Sequence, residues 1–218
     1  MNSYIKKLLS FIDDILFTVK CPYCGKVIER TEYACDTCKT KFPKTAFTNY
    51  AVGGYETVSP FPYNGIFSDA VKRFKFGDNP KLSKQLAFPL SAEILKAFDI
   101  SKIDFITCVP MHKKNFRKRG YNQAELLAKE CAEILEIEYL DTLEKFKENH
   151  FQHHLSGNKR AANVKGVYRV PDKSTVKDKN ILIIDDIITT GNTLGECCRM
   201  LKKSDCKNLY CATLCVVI

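Results

Sequence analysis

The chain has 218 residues, 45% of them hydrophobic, which is enough for one sizeable core and a small appendage. Its 34 basic and 25 acidic side chains leave a formal charge of +9, which suggests an anionic partner, phosphate or nucleic acid, without choosing between them. No apolar run approaches the ~18 residues that a helical membrane span needs.

At the amino end, Ile5, Leu8, Leu9, Ile12, Ile15 and Leu16 fall on one face of an expected amphipathic helix over residues 1–20. Such a helix docks on the main domain, or it lies on a membrane surface or a partner. Asp13 and Asp14 interrupt the apolar stretch and no small-residue cleavage site follows, so the segment does not read as a secretory signal. The cysteines number 11, and two tight CxxC pairs stand among them. That usage fits a reducing cytoplasm and metal binding better than a disulfide framework.

The pairs are Cys21 and Cys24, in CPYCGK, and Cys35 and Cys38, in CDTCK. A CxxC turn converges two thiolates on one tetrahedral centre. Two such turns close a four-sulfur site that suits Zn2+ and leaves no open coordination position. A small structural zinc ribbon is therefore expected over residues 21–45, with a redox dithiol or disulfides as the alternative. The remaining cysteines lack metal spacing, and Cys197 and Cys198 read as core residues on a helix.

Pro43, Gly53, Gly54 and Pro60 punctuate a linker. From residue 55 to 218 the pattern is α/β. Helical patterns cover 70–74 and 82–98, a strand 104–109, and a helix 124–135. Strands follow over 164–170 and 181–184, then a helix over 194–203 and a closing strand over 209–217. Strands separated by helical patterns predict a mostly parallel sheet flanked by helices.

The stretch ILIIDDIITTGNT, Ile181 to Thr193, carries the most chemistry. Four apolar residues read as a buried parallel strand, and Asp185 and Asp186 sit at its carboxyl end, where open α/β sheets bind ligands. Thr189, Thr190, Gly191, Asn192 and Thr193 then open a helix, whose first N–H groups make an anion site. Carboxylates can hold a diol and the loop a phosphate, and a ribose 5-phosphate offers both. No GxxxxGK[ST] and no GxGxxG occurs, so neither a Walker A loop nor a dinucleotide fingerprint is present.

Two basic stretches add anion-binding capacity. Lys113, Lys114, Arg117, Lys118 and Arg119 lie between a strand end and a helix, on what reads as a loop at the ligand face. Lys72, Arg73 and Lys75 interleave with Phe74 and Phe76, and Lys81 and Lys84 follow. Cations alternating with aromatics suit single-stranded nucleic acid. The same pattern also reads as core aromatics with solvated cations.

Ile181–Thr193 resembles the signature of type I phosphoribosyltransferases, which bind 5-phosphoribosyl-1-diphosphate (PRPP). Three more segments resemble the competence protein F (ComF) family, in that family's order: AVKRFKFG at Ala70–Gly77, VPMHKKNFRKRGYNQAELLA at Val109–Ala128, and QHHLSGNKRAANVKGVY at Gln152–Tyr168. An amino-terminal four-cysteine ribbon fits the same family. The resemblance implies a type I phosphoribosyltransferase-like fold, with Asp185 and Asp186 on the ribose hydroxyls and Thr189–Thr193 around the 5′-phosphate. It also implies a diphosphate near Arg119 and Gly120, with Mg2+ bridging the ribose oxygens and the diphosphate. Gln152 and Arg160 are candidates from a loop that closes over the reacting sugar. Lys145 stands where the family usually has Arg, and Tyr168 replaces the usual Phe; Lys keeps the charge but loses bidentate phosphate geometry.

Two functional readings follow. One is a Mg2+-dependent, PRPP-using phosphoribosyltransferase of unnamed acceptor, tied through the competence family to DNA uptake in natural transformation. The other is a non-catalytic factor that binds or processes single-stranded DNA, with PRPP as a structural or regulatory ligand and Lys72, Arg73 and Lys75 on the nucleic acid.

Overall fold

The computed structural model describes residues 18–51, 53–77, 79–147 and 165–218. Almost all of the expected amino-terminal helix lies outside them, as do Gln152 and Arg160.

The cysteine-rich segment folds into two knuckles. The N–H of Cys21 donates to the Lys26 carbonyl at 2.7 Å and that of Gly25 to the Cys21 carbonyl at 2.8 Å, while Lys20 bridges Val27. The second pair rides on a one-turn helix, α1 (Asp36–Lys39). The ribbon does not hang free. Tyr23, between the first two cysteines, is buried and meets the rings of Phe42, Phe61 and Phe67 edge-on at 5.0, 5.7 and 5.9 Å. Phe61 and Phe67 belong to the main domain, so ribbon and domain share one aromatic cluster.

The segment expected as a linker instead supplies strands. β1 (Phe47–Ala51) and β2 (Tyr55–Ser59) form an antiparallel hairpin. Alternating half-buried and exposed residues in β1 mark it as an edge strand, a pattern the Gly and Pro signals masked. β3 (Phe61–Pro62), β4 (Phe105–Cys108), β7 (Asn180–Ile188) and β8 (Asn208–Val216) complete the sheet, in the order β1-β2-β8-β7-β4, with β3 also beside β8. All pairings but β1–β2 are parallel. Ile181 to Ile184 are completely buried, as a central parallel strand requires.

α2 (Gly65–Phe76) starts earlier than its sequence pattern, and α3 (Leu82–Ala97) follows it. α5 (Gln123–Leu135) lies on the path from β4 to β7, and α6 (Asn192–Lys203) on the path from β7 to β8. α3 and α5 pack together and against β4, β7, β8 and β2, whereas α6 packs against β1, β7 and a small hairpin of β5 (Glu144–Lys145) and β6 (Tyr168–Arg169). The basic run at 113–119 is a helix, α4 (Lys113–Arg119), and not a loop. His112 Nδ1 accepts the Lys114 N–H at 3.3 Å to cap it, and Gly120, at φ +80°, closes it. Among the described residues no helix is long and apolar enough to cross a membrane.

Candidate functional site

β4 stops at Cys108, opposite Ile184, while β7 continues to Ile188 along β8. Asp185 and Asp186 therefore stand where one neighbouring strand has ended and the sheet opens. The chain leaving β4 is pinned beside them. Val109 donates its N–H to the Ile184 carbonyl at 3.0 Å, and Asn122 Nδ2 donates to the Val109 carbonyl at 3.1 Å. Asn122 Oδ1 also accepts the Ala124 N–H at 3.2 Å, capping α5.

Successive strand residues alternate in direction, so at the strand end the two neighbouring carboxylates meet different partners. Asp186 makes an ion pair with Lys75 of α2, Oδ2 to Nζ 2.8 Å, and both side chains are largely buried. Asp185 lies on the side of β5, β6 and α6, in the field of Tyr168 and Cys197. Burial pushes the Asp185 carboxyl well above the usual carboxylate range, and the charge of Asp186 adds to the rise. The Asp186 N–H, donated to Asp185 Oδ1 at 2.8 Å, opposes it, as do Lys75 and Lys145. An acid pair with Asp186 buried and Asp185 half-buried, flanked by two lysines, suits a polar or cationic ligand group.

The loop after β7 opens α6 without a side-chain cap. Gly191 occupies the N-cap position at φ +68°, a left-handed conformation that a side chain would strain. The first helical backbone bond runs from the Gly195 N–H to the Gly191 carbonyl at 2.9 Å. The N–H groups of Asn192, Thr193 and Leu194 are thus the orphan donors of the first turn. Thr189 and Thr190 are exposed, and Asn192 Nδ2 donates to Thr190 Oγ1 at 2.7 Å. Burial raises the pKa of the Tyr168 hydroxyl above the normal phenol range, and Thr193 opposes the rise.

Arg119 approaches from the end of α4. Its Nη1 donates to Gln123 Oε1 at 3.1 Å, and its guanidinium lies 5.3 Å from the Phe76 ring centre. Gln123 is buried, and its Nε2 finds no partner among the described residues. Beside Gly120, the space a side chain would fill is open.

The basic-aromatic stretch does not present one face. Lys72 is exposed and pairs with Asp69 at 3.4 Å. One guanidinium nitrogen of Arg73 donates to the carbonyls of Pro22 and Tyr23, at 2.8 and 2.9 Å. Phe74 is core, Lys75 serves Asp186, and Phe76 is exposed beneath Arg119. Lys75, read there with a nucleic-acid surface, and Gln123 are residues whose place at this site the sequence did not announce, whereas Lys145 and Tyr168 stood out only as departures from the usual Arg and Phe of the resembling family. A signal existed for Lys75: it lies one helical turn from buried Val71, on the edge of the apolar face. Lys145 lies 5.4 Å over the Tyr168 ring, and only the fold brings that hairpin to Asp185.

The thiol sulfurs of Cys21, Cys24, Cys35 and Cys38 all lie within 4.8 Å of one another, as ligands of one metal ion must. A tetrahedral Zn2+ with bonds of ~2.3 Å sets sulfurs about 3.8 Å apart. The Cys24–Cys35 separation of 3.5 Å, with both thiols free, matches that spacing and not a disulfide. The Lys26 N–H and the neighbouring thiols lower the Cys24 pKa to about 7, so the first thiolate forms near neutrality. Burial instead raises Cys21 and Cys38. The other described cysteines are buried and free, as core residues.

The phosphoribosyl transferase domain family matches residues 121–217, the span from the α5 entry through the acid pair and its loop to the end of β8. Competence protein F of Haemophilus influenzae is 27% identical over 84% of this chain and 78% of its own length. The chain is a competence protein F homologue. DNA utilization protein YhgH of Salmonella typhimurium is 28% identical over 89% of this chain and 83% of its own. Among solved structures, adenine phosphoribosyltransferase from Saccharomyces cerevisiae is similar at 16% identity and TM-score 0.42, over 83% of this chain and 90% of that one.

Proposed function

We propose that the protein binds PRPP with Mg2+ at the acid pair and acts as a phosphoribosyltransferase in the handling of DNA taken up during transformation. The observation that carries this reading is the juxtaposition of Asp185 and Asp186 with the uncapped start of α6. Asp185 and Asp186 hold the ribose hydroxyls; Thr189 to Thr193 and the first N–H groups of α6 hold the 5′-phosphate. Arg119, set over Phe76, and the open backbone at Gly120 receive the diphosphate. Gln152 and Arg160, outside the described residues, are assigned to the closing segment.

Transfer requires the C1–diphosphate bond to weaken while positive charge grows on the ribose. Carboxylates beside the ring stabilise that charge, and Arg119 stabilises the departing anion. Mg2+, when bound with PRPP, neutralises diphosphate charge. The oxygen-rich acid pair and diphosphate fit such a hard cation. The four cysteines hold a structural Zn2+. The competence setting is supported by the names of the homologues, and the free thiols fit a reducing cytoplasm.

Calorimetric titration with PRPP, with and without Mg2+, tests the reading. Saturable binding in wild type and its loss in Asp186→Ala is the expected pair of results. Release of diphosphate with a panel of nucleophiles then tests catalysis.

A cleft of about 880 Å3 between the ribbon and α3 favours a second, compatible activity. Its walls carry Lys20, Arg30, Lys81 and Lys84, and Phe88, exposed on α3, stacks on Tyr33 at 4.4 Å. Gln85 Oε1 on the same wall is buried without a partner among the described residues. Cations around an aromatic platform suit a single strand of DNA. Lys81, Lys84 and Phe88 therefore take the role expected of Lys72, Arg73 and Lys75. Anisotropy of a labelled oligothymidylate should show salt-sensitive binding that weakens in a Lys84→Ala, Phe88→Ala double variant. Equal affinity of the double variant and wild type removes this surface.

A further inference from the structure

Four consecutive residues at the end of α2 each engage a different part of the molecule. Arg73 grips the carbonyls of Pro22 and Tyr23, which lie between Cys21 and Cys24. Phe74 is completely buried, and its carbonyl accepts the Tyr121 hydroxyl in the turn that carries Arg119 and Gln123. Lys75 holds Asp186, and Phe76 lies under Arg119. The Gly77 N–H, bonded to the Arg73 carbonyl at 2.9 Å, closes the turn.

A helical turn packed at a completely buried Phe74 moves as a unit, because close-packed interiors transmit displacement. The carbonyls that Arg73 grips are set by the first cysteine knuckle, and that knuckle takes its shape from what its sulfurs bind. Two residues later the same turn places a cation on the acid pair. A ligand that bridges Asp186 and Arg119 fixes the turn from the other end.

We propose that the last turn of α2 links metal retention at the four cysteines to ligand binding at the acid pair, so that each strengthens the other. The proposal rests on the PRPP reading for the identity of the second ligand. Linkage is reciprocal: if metal at the ribbon favours PRPP, PRPP must favour metal by the same factor. The ribbon then acts as a positioning element for the site and not solely as a docking module. Arg73 and Lys75 are its positioning residues.

The test uses the full chain loaded with Zn2+. Transfer of Zn2+ to a chromophoric chelator is timed without ligand, with Mg2+ alone, and with saturating PRPP and Mg2+; PRPP binding is measured in parallel by calorimetry. In wild type, PRPP with Mg2+ should slow Zn2+ transfer about 5-fold or more. In Arg73→Met the ligand should still bind but leave the transfer rate unchanged. Arg73→Ala serves if the Met variant does not fold. Lys75→Met, with no ligand present, should lose Zn2+ faster than the exposed control Lys72→Met. An unchanged wild-type rate at proven PRPP saturation overturns the linkage. Should PRPP not bind at all, the functional reading fails. The linkage is then decided by Lys75→Met against Lys72→Met, where equal rates overturn it.

Discussion

The four-cysteine ribbon takes all its ligands from one short stretch, Cys21 to Cys38, whereas the acid-pair site draws on β7, α2, α4, the start of α5, the β5–β6 hairpin and the loop into α6. The first is encoded by spacing. The second is encoded by topology, because β4 ends short, β7 runs on, and neighbouring elements deliver cations to the exposed strand end. A local site tolerates no loss among its few ligands. A dispersed site spreads its electrostatics, so its members should differ widely in weight.

That contrast can be broken most severely at the ribbon. Cys38→Ser removes a buried sulfur from a closed site and should cut Zn2+ affinity by about 1,000-fold or more, read by chelator competition. An affinity within a few-fold of wild type would mean that the four sulfurs do not act as one site. At the dispersed site, Asp186→Ala strands Lys75 and should weaken PRPP about 100-fold, roughly 2.7 kcal/mol by calorimetry.

Asp185 offers a sharper distinction, since it should trade stability for function. Its folded-state pKa is raised, so the folded protein holds the extra proton above the ordinary carboxylate range. Stability therefore falls as pH rises from about 4 towards the folded value, and the loss is complete above it. Asp185→Asn should remove that fall and make the ligand-free protein about 1–2 kcal/mol more stable at pH 8 in urea unfolding, while PRPP binding suffers. A destabilised Asn variant at pH 8 would show that Asp185 is structurally satisfied. The smallest effect belongs to Phe76→Ala, which removes the ring beneath Arg119 and should weaken PRPP about 2- to 5-fold.

Much of the ribbon was legible because a four-sulfur cluster fixes both residue type and interval. The core strand Ile181–Ile184 was legible too, since a strand buried on both faces is continuously apolar. Less could be read where the chain was amphipathic or punctuated. β1 and β2 hid behind glycines that serve only their connecting turn, and the cations of α4 obscured a short helix capped by His112. KRFKFG read either as a basic-aromatic surface or as core aromatics with solvated cations, yet helical geometry sends its side chains to the ribbon, the core, the acid pair and Arg119. Lys145 and Tyr168 reach Asp185 through a hairpin whose strands lie far apart in sequence, so the family resemblance marked their positions but no local pattern joined them to Asp185.

A crystal structure of the full chain with PRPP and Mg2+ tests the central claim most directly. It should show the 5′-phosphate on the N–H groups of Asn192 to Leu194, the ribose hydroxyls on Asp185 and Asp186, and the diphosphate at Arg119 and Gly120. PRPP bound in the cleft between the ribbon and α3, with the acid pair still closed on Lys75, would contradict it.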